Sequence, residues 1–366
     1  MRVLFISHQA NRSGAPYALF QELEALQHGS DIQPIVMLLE GGAIKKDFQK
    51  SYPTVGWHDM ILRIIIKCRL ERLFLKYYSI DCIYCNSIVS LDVGLILKKN
   101  SNIPLILHVH ESESYLNSYA RSKNYLCDVD SFITVSGLCK NILIEKYGVS
   151  PDKVYIQYPF SPWVMNVIEN NIEGISGEKK AELTIGTICN GTWPKAPELI
   201  TLVADLFYKK FPHIKCKFMV VGISKESDTY YHIEYDLEKM HLQDKVTLAG
   251  QVNDPLDCYS QFDVLLLHSR EESFSLVAEE AAVMGKPIVG FEGATGAAEW
   301  IKDECGILVP YMDLNALAEA LYKLCSNDQL RMELGKNAKR KMVNIYKEEA
   351  QMKNVISALH SVVHLH

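Results

Sequence analysis

Two glutamates eight positions apart, Glu272 and Glu280, bracket the start of a helical pattern in FDVLLLHSREESFSLVAEEAAVMGKPIVGF, which runs from Phe262 to Phe291. An ionised carboxylate accepts hydrogen bonds and donates none, so each glutamate suits a ligand that carries hydroxyls. Between them, Ser273, Phe274, Ser275 and Leu276 fall where the helix begins. A helix start offers unpaired backbone N–H groups and the positive end of the dipole, which suit a phosphate or pyrophosphate. The implied ligand has both kinds of group. A nucleotide sugar fits that description.

The elements that must hold these residues can be read from the same stretch. Val264–His268 is a short apolar run ending in Ser269 and Arg270, as expected of a buried parallel strand that reaches the carboxyl edge of a sheet. Leu276, Val277, Glu280, Ala281 and Met284 recur at helical spacing, with Ser275 as the cap and Gly285 as the stop. Pro287–Phe291 returns to the sheet. This is one βαβ unit, and strand and helix patterns alternate on either side of it. Arg2–Ser7, Asp81–Cys85, Pro104–His108 and Ser131–Val135 belong to one doubly wound parallel sheet, and a second series starts at Leu183–Ile188. Between the two series the pattern loosens over Tyr158–Lys180, with Pro159, Pro162 and EGISGEKK, which predicts a linker.

Glu272-x7-Glu280, set in SREESFSLVAEEA and followed by GKPIVGF, resembles the donor-binding motif of family 4 glycosyltransferases. The resemblance implies the GT-B fold: α/β, two Rossmann-like doubly wound domains facing a cleft. The expected division is an acceptor-side domain over 1–160, a linker over 161–182 and a nucleotide-sugar-binding domain over 183–345, with 346–366 crossing back to the first domain. By the same resemblance Glu272 lies beside the donor sugar, Glu280 holds the ribose hydroxyls, and the amides of Ser273–Leu276 meet the sugar and diphosphate. Ser13–Pro16 resembles a loop at the cleft, which makes Gly14 and Ala15 donor-site candidates. His110-Glu111, at the end of the Pro104 run, resembles a His-Glu pair near the transferred sugar, so His110 joins Glu272 as a catalytic candidate. Lys195, just before a helix, matches a lysine that neutralises the leaving diphosphate. Asn190 stands where the family often has arginine, and Arg270 is the residue expected to compensate.

The activity implied is that of a retaining hexosyltransferase, moving sugar from a UDP- or GDP-linked donor to a saccharide or lipid-linked saccharide in surface polysaccharide or glycolipid assembly. No metal or other cofactor is expected. Departing diphosphate gains charge as the glycosidic bond breaks, so groups already aimed at it act on the transition state. Two other readings stay open: a nucleotide-sugar 2-epimerase of the same architecture, and a non-catalytic nucleotide-sugar-binding subunit.

Composition sets the outer bounds. The 366 residues suffice for two domains, and 48% hydrophobic with 22% charged content is that of a globular protein. A net charge of -6 argues against nucleic acid as the main partner. The first residues lack the pattern of a signal peptide, and no run approaches the ~18 apolar residues of a membrane span, so a cytoplasmic protein is expected. Ile61–Tyr78 carries Arg63, Lys67, Arg69, Arg72 and Lys76 among bulky apolar residues. As a helix it suits either a sheet-covering position or a peripheral berth on the anionic inner face of a membrane. The ten cysteines sit mostly inside apolar runs and, Cys82-x2-Cys85 included, suit reduced core thiols better than a disulfide framework. His108 and His110 share a strand face, but no third ligand motif accompanies them.

Overall fold

The structure is a computed structural model that describes residues 1–11, 14–56, 70–99, 101–119, 126–170, 182–252, 256–349 and 352–363. The chain divides into two compact units, Met1–Pro159 with Glu348–His366, and Phe160–Lys347.

The first unit is built on a seven-stranded sheet. Its strands are β1 (Arg2–Ser7), β2 (Gln33–Leu38), β3 (Thr54–Gly56), β4 (Cys82–Asn86), β5 (Leu105–Val109), β6 (Ser131–Thr134) and β7 (Val154–Ile156), in the order β3-β2-β1-β4-β5-β6-β7. Every pairing is parallel. Alternate residues of each strand go to opposite faces, which is why β1, β4 and β5 read as unbroken apolar runs. Val3, Phe5, Tyr84 and Ile106 pack on one face beneath Leu19, Leu23 and Leu26 of helix Gly14–Gly29. Leu4, Ile6, Ile83, Cys85 and Leu107 pack on the other, with Leu91 and Leu97 of helix Leu91–Lys98. The carboxyl-terminal helix Lys353–Val363 joins the first of these faces through Val355, Ala358, Leu359 and Val362, an i, i+3, i+4, i+7 stripe.

The second unit has six parallel strands: β8 (Leu183–Ile188), β9 (Cys216–Val221), β10 (Val246–Gly250), β11 (Val264–Leu267), β12 (Ile288–Phe291) and β13 (Gly306–Val309), in the order β10-β9-β8-β11-β12-β13. In both sheets the winding reverses beside the first strand, between β1 and β4 and between β8 and β11. Ligands of open α/β sheets bind at the carboxyl ends of strands at such points. The expected βαβ unit is present as β11, helix Leu276–Val283 and β12. Gly285 follows that helix at φ +72°, and a side chain at Gly335 would strike the Gly285 carbonyl at 2.1 Å, so both glycines are needed for the crossing of helix Asp328–Glu349 over this turn.

The boundaries differ from the sequence expectation at two places. Within the stretch expected as linker, Pro162–Glu169 is a helix of the second unit, packed on helix Leu276–Val283. Pro162 occupies the first helical turn, where a missing N–H costs nothing, and the Ser161 hydroxyl caps the start by accepting from the Val164 amide at 3.2 Å. Tyr346 also stays with the second unit: its hydroxyl donates to Glu169 at 2.7 Å and its ring meets Phe160 edge-on at 5.1 Å. Of the basic stretch Ile61–Tyr78, residues 61–69 lie outside the described residues. Helix Glu71–Tyr77 buries Phe74 and Leu75 in the first unit's core and leaves Arg72, Leu73, Lys76 and Tyr77 exposed. Cys82, Cys85, Cys216 and Cys325 are buried free thiols. Among the described residues no helix is long and apolar enough to cross a membrane.

Leu359 is fully buried, so Leu359→Ala is expected to destabilise the first unit by about 2–5 kcal/mol. Urea denaturation followed by a probe in that unit measures the loss, and an unchanged midpoint would contradict docking of the last helix on this core.

Candidate functional site

Strand β11 ends at Leu267, and the residues that follow emerge at the carboxyl edge beside the end of β8. The loop after β11 is held from behind by the small-residue segment 293–297. The Glu272 amide donates to the Ala294 carbonyl at 2.7 Å, the Gly296 amide returns to the Glu272 carbonyl at 3.2 Å, and the Thr295 hydroxyl donates to the Phe274 carbonyl. The loop ends at Ser275, which caps helix Leu276–Val283 by accepting from the Ala278 amide. Ser275 sits at φ +140°, a strained conformation for a residue with a side chain. Such strain is concentrated at ligand-binding turns.

Glu272 is 8% exposed. Its Oε1 pairs with Lys195 Nζ at 2.8 Å and also accepts from the Ser269 hydroxyl. Lys195 closes the 3₁₀ turn Trp193–Lys195, which follows β8, so two candidates far apart in sequence meet because β8 and β11 are neighbours. Arg270 serves that same turn. Its Nη1 donates to the Trp193 carbonyl at 3.1 Å, its Nη2 pairs with Glu198, and its guanidinium lies 5.3 Å over the Trp193 ring. Asn190 shapes the turn as well, its amide oxygen accepting from the Thr192 amide at 3.2 Å.

Glu280 lies on the second turn of the helix, also 8% exposed, and its Oε2 accepts from the Tyr259 hydroxyl at 2.7 Å. Burial raises its pKa, and hydrogen bonds from the Tyr259 and Ser161 hydroxyls oppose that rise. Sequence reasoning missed both hydroxyls. The one available signal was Tyr259 itself, since a buried tyrosine needs a partner for its O–H. It also missed His268, which is 1% exposed among Lys195, Glu272 and Glu198; burial pushes its pKa down to about 4, so the ring is neutral. Glu279 is fully buried, and burial together with the neighbouring Glu280 raises its pKa well above the ordinary value, opposed by a hydrogen bond with the Ser161 backbone.

In the first unit, β1, β4 and β5 bring Ser7, Asn86 and His108 into register at the carboxyl edge. His110 follows β5. Its Nε2 lies 2.8 Å from Asn86 Oδ1, and its ring centroid 3.9 Å from that of His108. Burial, reinforced by His108 and His8, holds its pKa well below the usual imidazole value. His108 is tied inward, with Nδ1 at 2.7 Å from the Tyr84 hydroxyl, and Tyr84 reaches Glu22 at 3.2 Å. Glu111 also turns inward and accepts from the amides of His110 at 3.0 Å and Ile88 at 3.2 Å. Gly14 and Ala15 open helix Gly14–Gly29; Gly14 has open space where a side chain would stand, and the Ala15 carbonyl accepts from Asn86 Nδ2 at 2.9 Å.

Two parallel sheets, each gathering polar side chains at the point where its winding reverses, are the architecture of GT-B glycosyltransferases. Comparison with known proteins places the chain more closely. Residues 35–160 match the family model Glycosyltransferase Family 4, and residues 169–341 match the model Glycosyl transferases group 1. The poly(ribitol-phosphate) alpha-N-acetylglucosaminyltransferase of Staphylococcus aureus (strain COL) is 24% identical over 266 residues, 72% of this chain and 52% of that enzyme. The chain thus spans about half the length of that relative. The D-inositol 3-phosphate glycosyltransferase of Corynebacterium glutamicum (strain R) is 24% identical over 285 residues, 70% of this chain and 67% of that one. The crystal structure of Anabaena HepE in complex with UDP and glucose has the same fold, with a TM-score of 0.74 at 19% identity over 98% of this chain and 99% of HepE. The chain has the GT-B fold, and its two units match these two glycosyltransferase family models, family 4 among them.

The proton on Glu279 predicts a pH dependence. The folded chain keeps it above the ordinary value of 4.5, where the unfolded chain has lost it. The folded state therefore binds the extra proton, and stability falls as pH rises from about 4.5 towards the folded pKa. Glu279→Gln is expected to flatten this fall, with Glu280 supplying what remains. Urea unfolding of the second unit across that range measures it, and an unchanged slope would contradict a protonated Glu279.

Proposed function

We propose that the chain transfers a hexosyl residue from a nucleotide-diphosphate donor to a saccharide hydroxyl, with retention at the anomeric carbon and without a metal. The observation that carries this reading is the pairing of Lys195 with Glu272 at one end of a strained helix start, with the buried carboxyl of Glu280 two turns on. In this reading Glu280 accepts from the ribose hydroxyls, and the amides from Ser273 to Leu276 meet the diphosphate. Glu272 orients the sugar, and Lys195 shares its ammonium between Glu272 and the departing phosphate. As the bond from the anomeric carbon to phosphate oxygen breaks, charge grows on that oxygen and the Lys195 contact strengthens, which lowers the barrier. The acceptor oxygen bonds to the same face of the anomeric carbon, and its proton passes to the leaving phosphate, so no strong protein base is required. Arg270, occupied with Trp193 and Glu198, acts by holding the turn that carries Lys195. His110 is proposed to touch the reacting sugar.

UDP-linked donors come first for testing, because HepE was crystallised with UDP and glucose; GDP-linked donors are the comparison. A glycan acceptor of surface polysaccharide or glycolipid type is suggested by the polymer-modifying S. aureus relative. Peripheral contact of 61–78 with an anionic membrane belongs to the same proposal, supported by exposed Arg72, Leu73, Lys76 and Tyr77.

The deciding experiment incubates the protein with UDP- and GDP-hexoses and a panel of glycan acceptors, and identifies the products by NMR. An elongated acceptor with the donor's anomeric configuration is expected. An isomerised donor formed without acceptor would point to the epimerase, and a bound but unchanged donor to the non-catalytic subunit. Lys195→Ala is expected to lower kcat by about 100-fold or more, with a smaller change in donor KM; equal kcat would contradict its role at the leaving group. Sedimentation with anionic vesicles at low salt tests the membrane contact, and protein left in the supernatant would refute it.

A further inference from the structure

Asn86 makes two hydrogen bonds that together settle a proton. Its Nδ2 donates to the Ala15 carbonyl at 2.9 Å, and its Oδ1 lies 2.8 Å from His110 Nε2. With the amide turned over, Oδ1 would confront the Ala15 carbonyl oxygen, two acceptors with no hydrogen between them. The anchored orientation therefore sets Oδ1 against His110, and an oxygen acceptor there requires the hydrogen on Nε2. A neutral imidazole carries one N–H, so its lone pair is on Nδ1.

The surroundings fix the ring from other sides. Asn86 ends β4 in register with Ser7 and His108, and the chain leaves it through Ser87, strained at φ +116°. The His108 ring lies against that of His110, with its own Nδ1 on Tyr84, and Glu111 holds the His110 backbone amide. The titratable groups near the ring are thus His8, His108 and Glu111. Neither histidine offers a charge that would favour an imidazolium, and the Glu111 carboxyl is already satisfied by the amides of Ile88 and His110.

We propose that Asn86 is the positioning residue for His110: anchored on the Ala15 carbonyl, its amide oxygen holds His110 as the Nε2–H tautomer and presents Nδ1 as a hydrogen-bond acceptor to a hydroxyl of the substrate. The inference rests on the reading of His110 as a residue that touches the reacting sugar. It also gives Ala15 a role, since its backbone carbonyl orients the amide that orients the ring.

The test begins with the wild-type protein carrying 15N-labelled histidine, the His110 signals being picked out from the 12 histidines by their loss in His110→Gln. Nitrogen shifts are expected to show a protonated Nε2 and an unprotonated Nδ1. The opposite tautomer in the wild-type protein would overturn the inference. Asn86→Ala is expected to release a tautomer mixture and lower kcat about tenfold or more at unchanged donor KM, whereas Asn86→Asp sets a carboxylate against Nε2–H and shifts the ring's titration to higher pH. An unchanged tautomer and kcat in Asn86→Ala would overturn it. If His110→Gln turns over like wild type, both this inference and the reading beneath it fall; if His110→Gln is impaired but wild-type His110 is the Nδ1–H tautomer, only the Asn86 inference falls.

Discussion

The adjacency of β8 and β11 is the constraint on which the second unit's polar edge depends. Parallel strands must be joined by crossovers, and at the point where winding reverses, two neighbouring strands send their loops away in different directions. Lys195 arrives on one loop and Glu272 on the other, and they meet at 2.8 Å. Arg270 then stitches the first loop to the second through Trp193 and Glu198, while 293–297 braces the second from behind. The first unit repeats the geometry between β1 and β4, where Asn86 links the start of helix Gly14–Gly29 to His110.

Such edges are held at a cost in stability. Ser275 and Ser87 occupy positive φ without being glycine, and His268 and Glu279 are ionisable side chains buried out of reach of water. Burial drives these side chains towards their neutral forms, imidazole for His268 and carboxylic acid for Glu279. Around them the apolar cores are continuous, and strain of this kind persists only where the surrounding structure over-determines the backbone.

Much of the frame was legible in the chain. Short apolar runs separated by helical spacing marked the parallel strands, and the Glu272–Glu280 stretch announced its own βαβ unit because strand, cap, helix and stop lie within thirty residues. What escaped was whatever depends on tertiary packing. Nothing in the spacing pairs Tyr259 with Glu280, which meet where helices Leu256–Gln261 and Leu276–Val283 pack together, or Asn86 with His110, which meet because β4 and β5 are neighbours. Arg270 is expected from the sequence to compensate for Asn190 at the diphosphate; in the structure two of its five N–H donors serve the neighbouring turn, at the Trp193 carbonyl and Glu198. Pro162 reads as a breaker in the sequence because proline disrupts a helix interior, but with Ser161 before it as the cap the residue opens one.

In the proposed function, Glu280 binds the hydroxyls of a nucleotide's ribose. The most direct test of that role is a calorimetric cycle with UDP and 2′,3′-dideoxy-UDP on the wild type and on Glu280→Ala. If the carboxyl and the hydroxyls are partners, removing either weakens binding by a similar factor, and removing both weakens it little further. Full additivity of the two losses, or wild-type affinity for UDP in Glu280→Ala, would contradict the account.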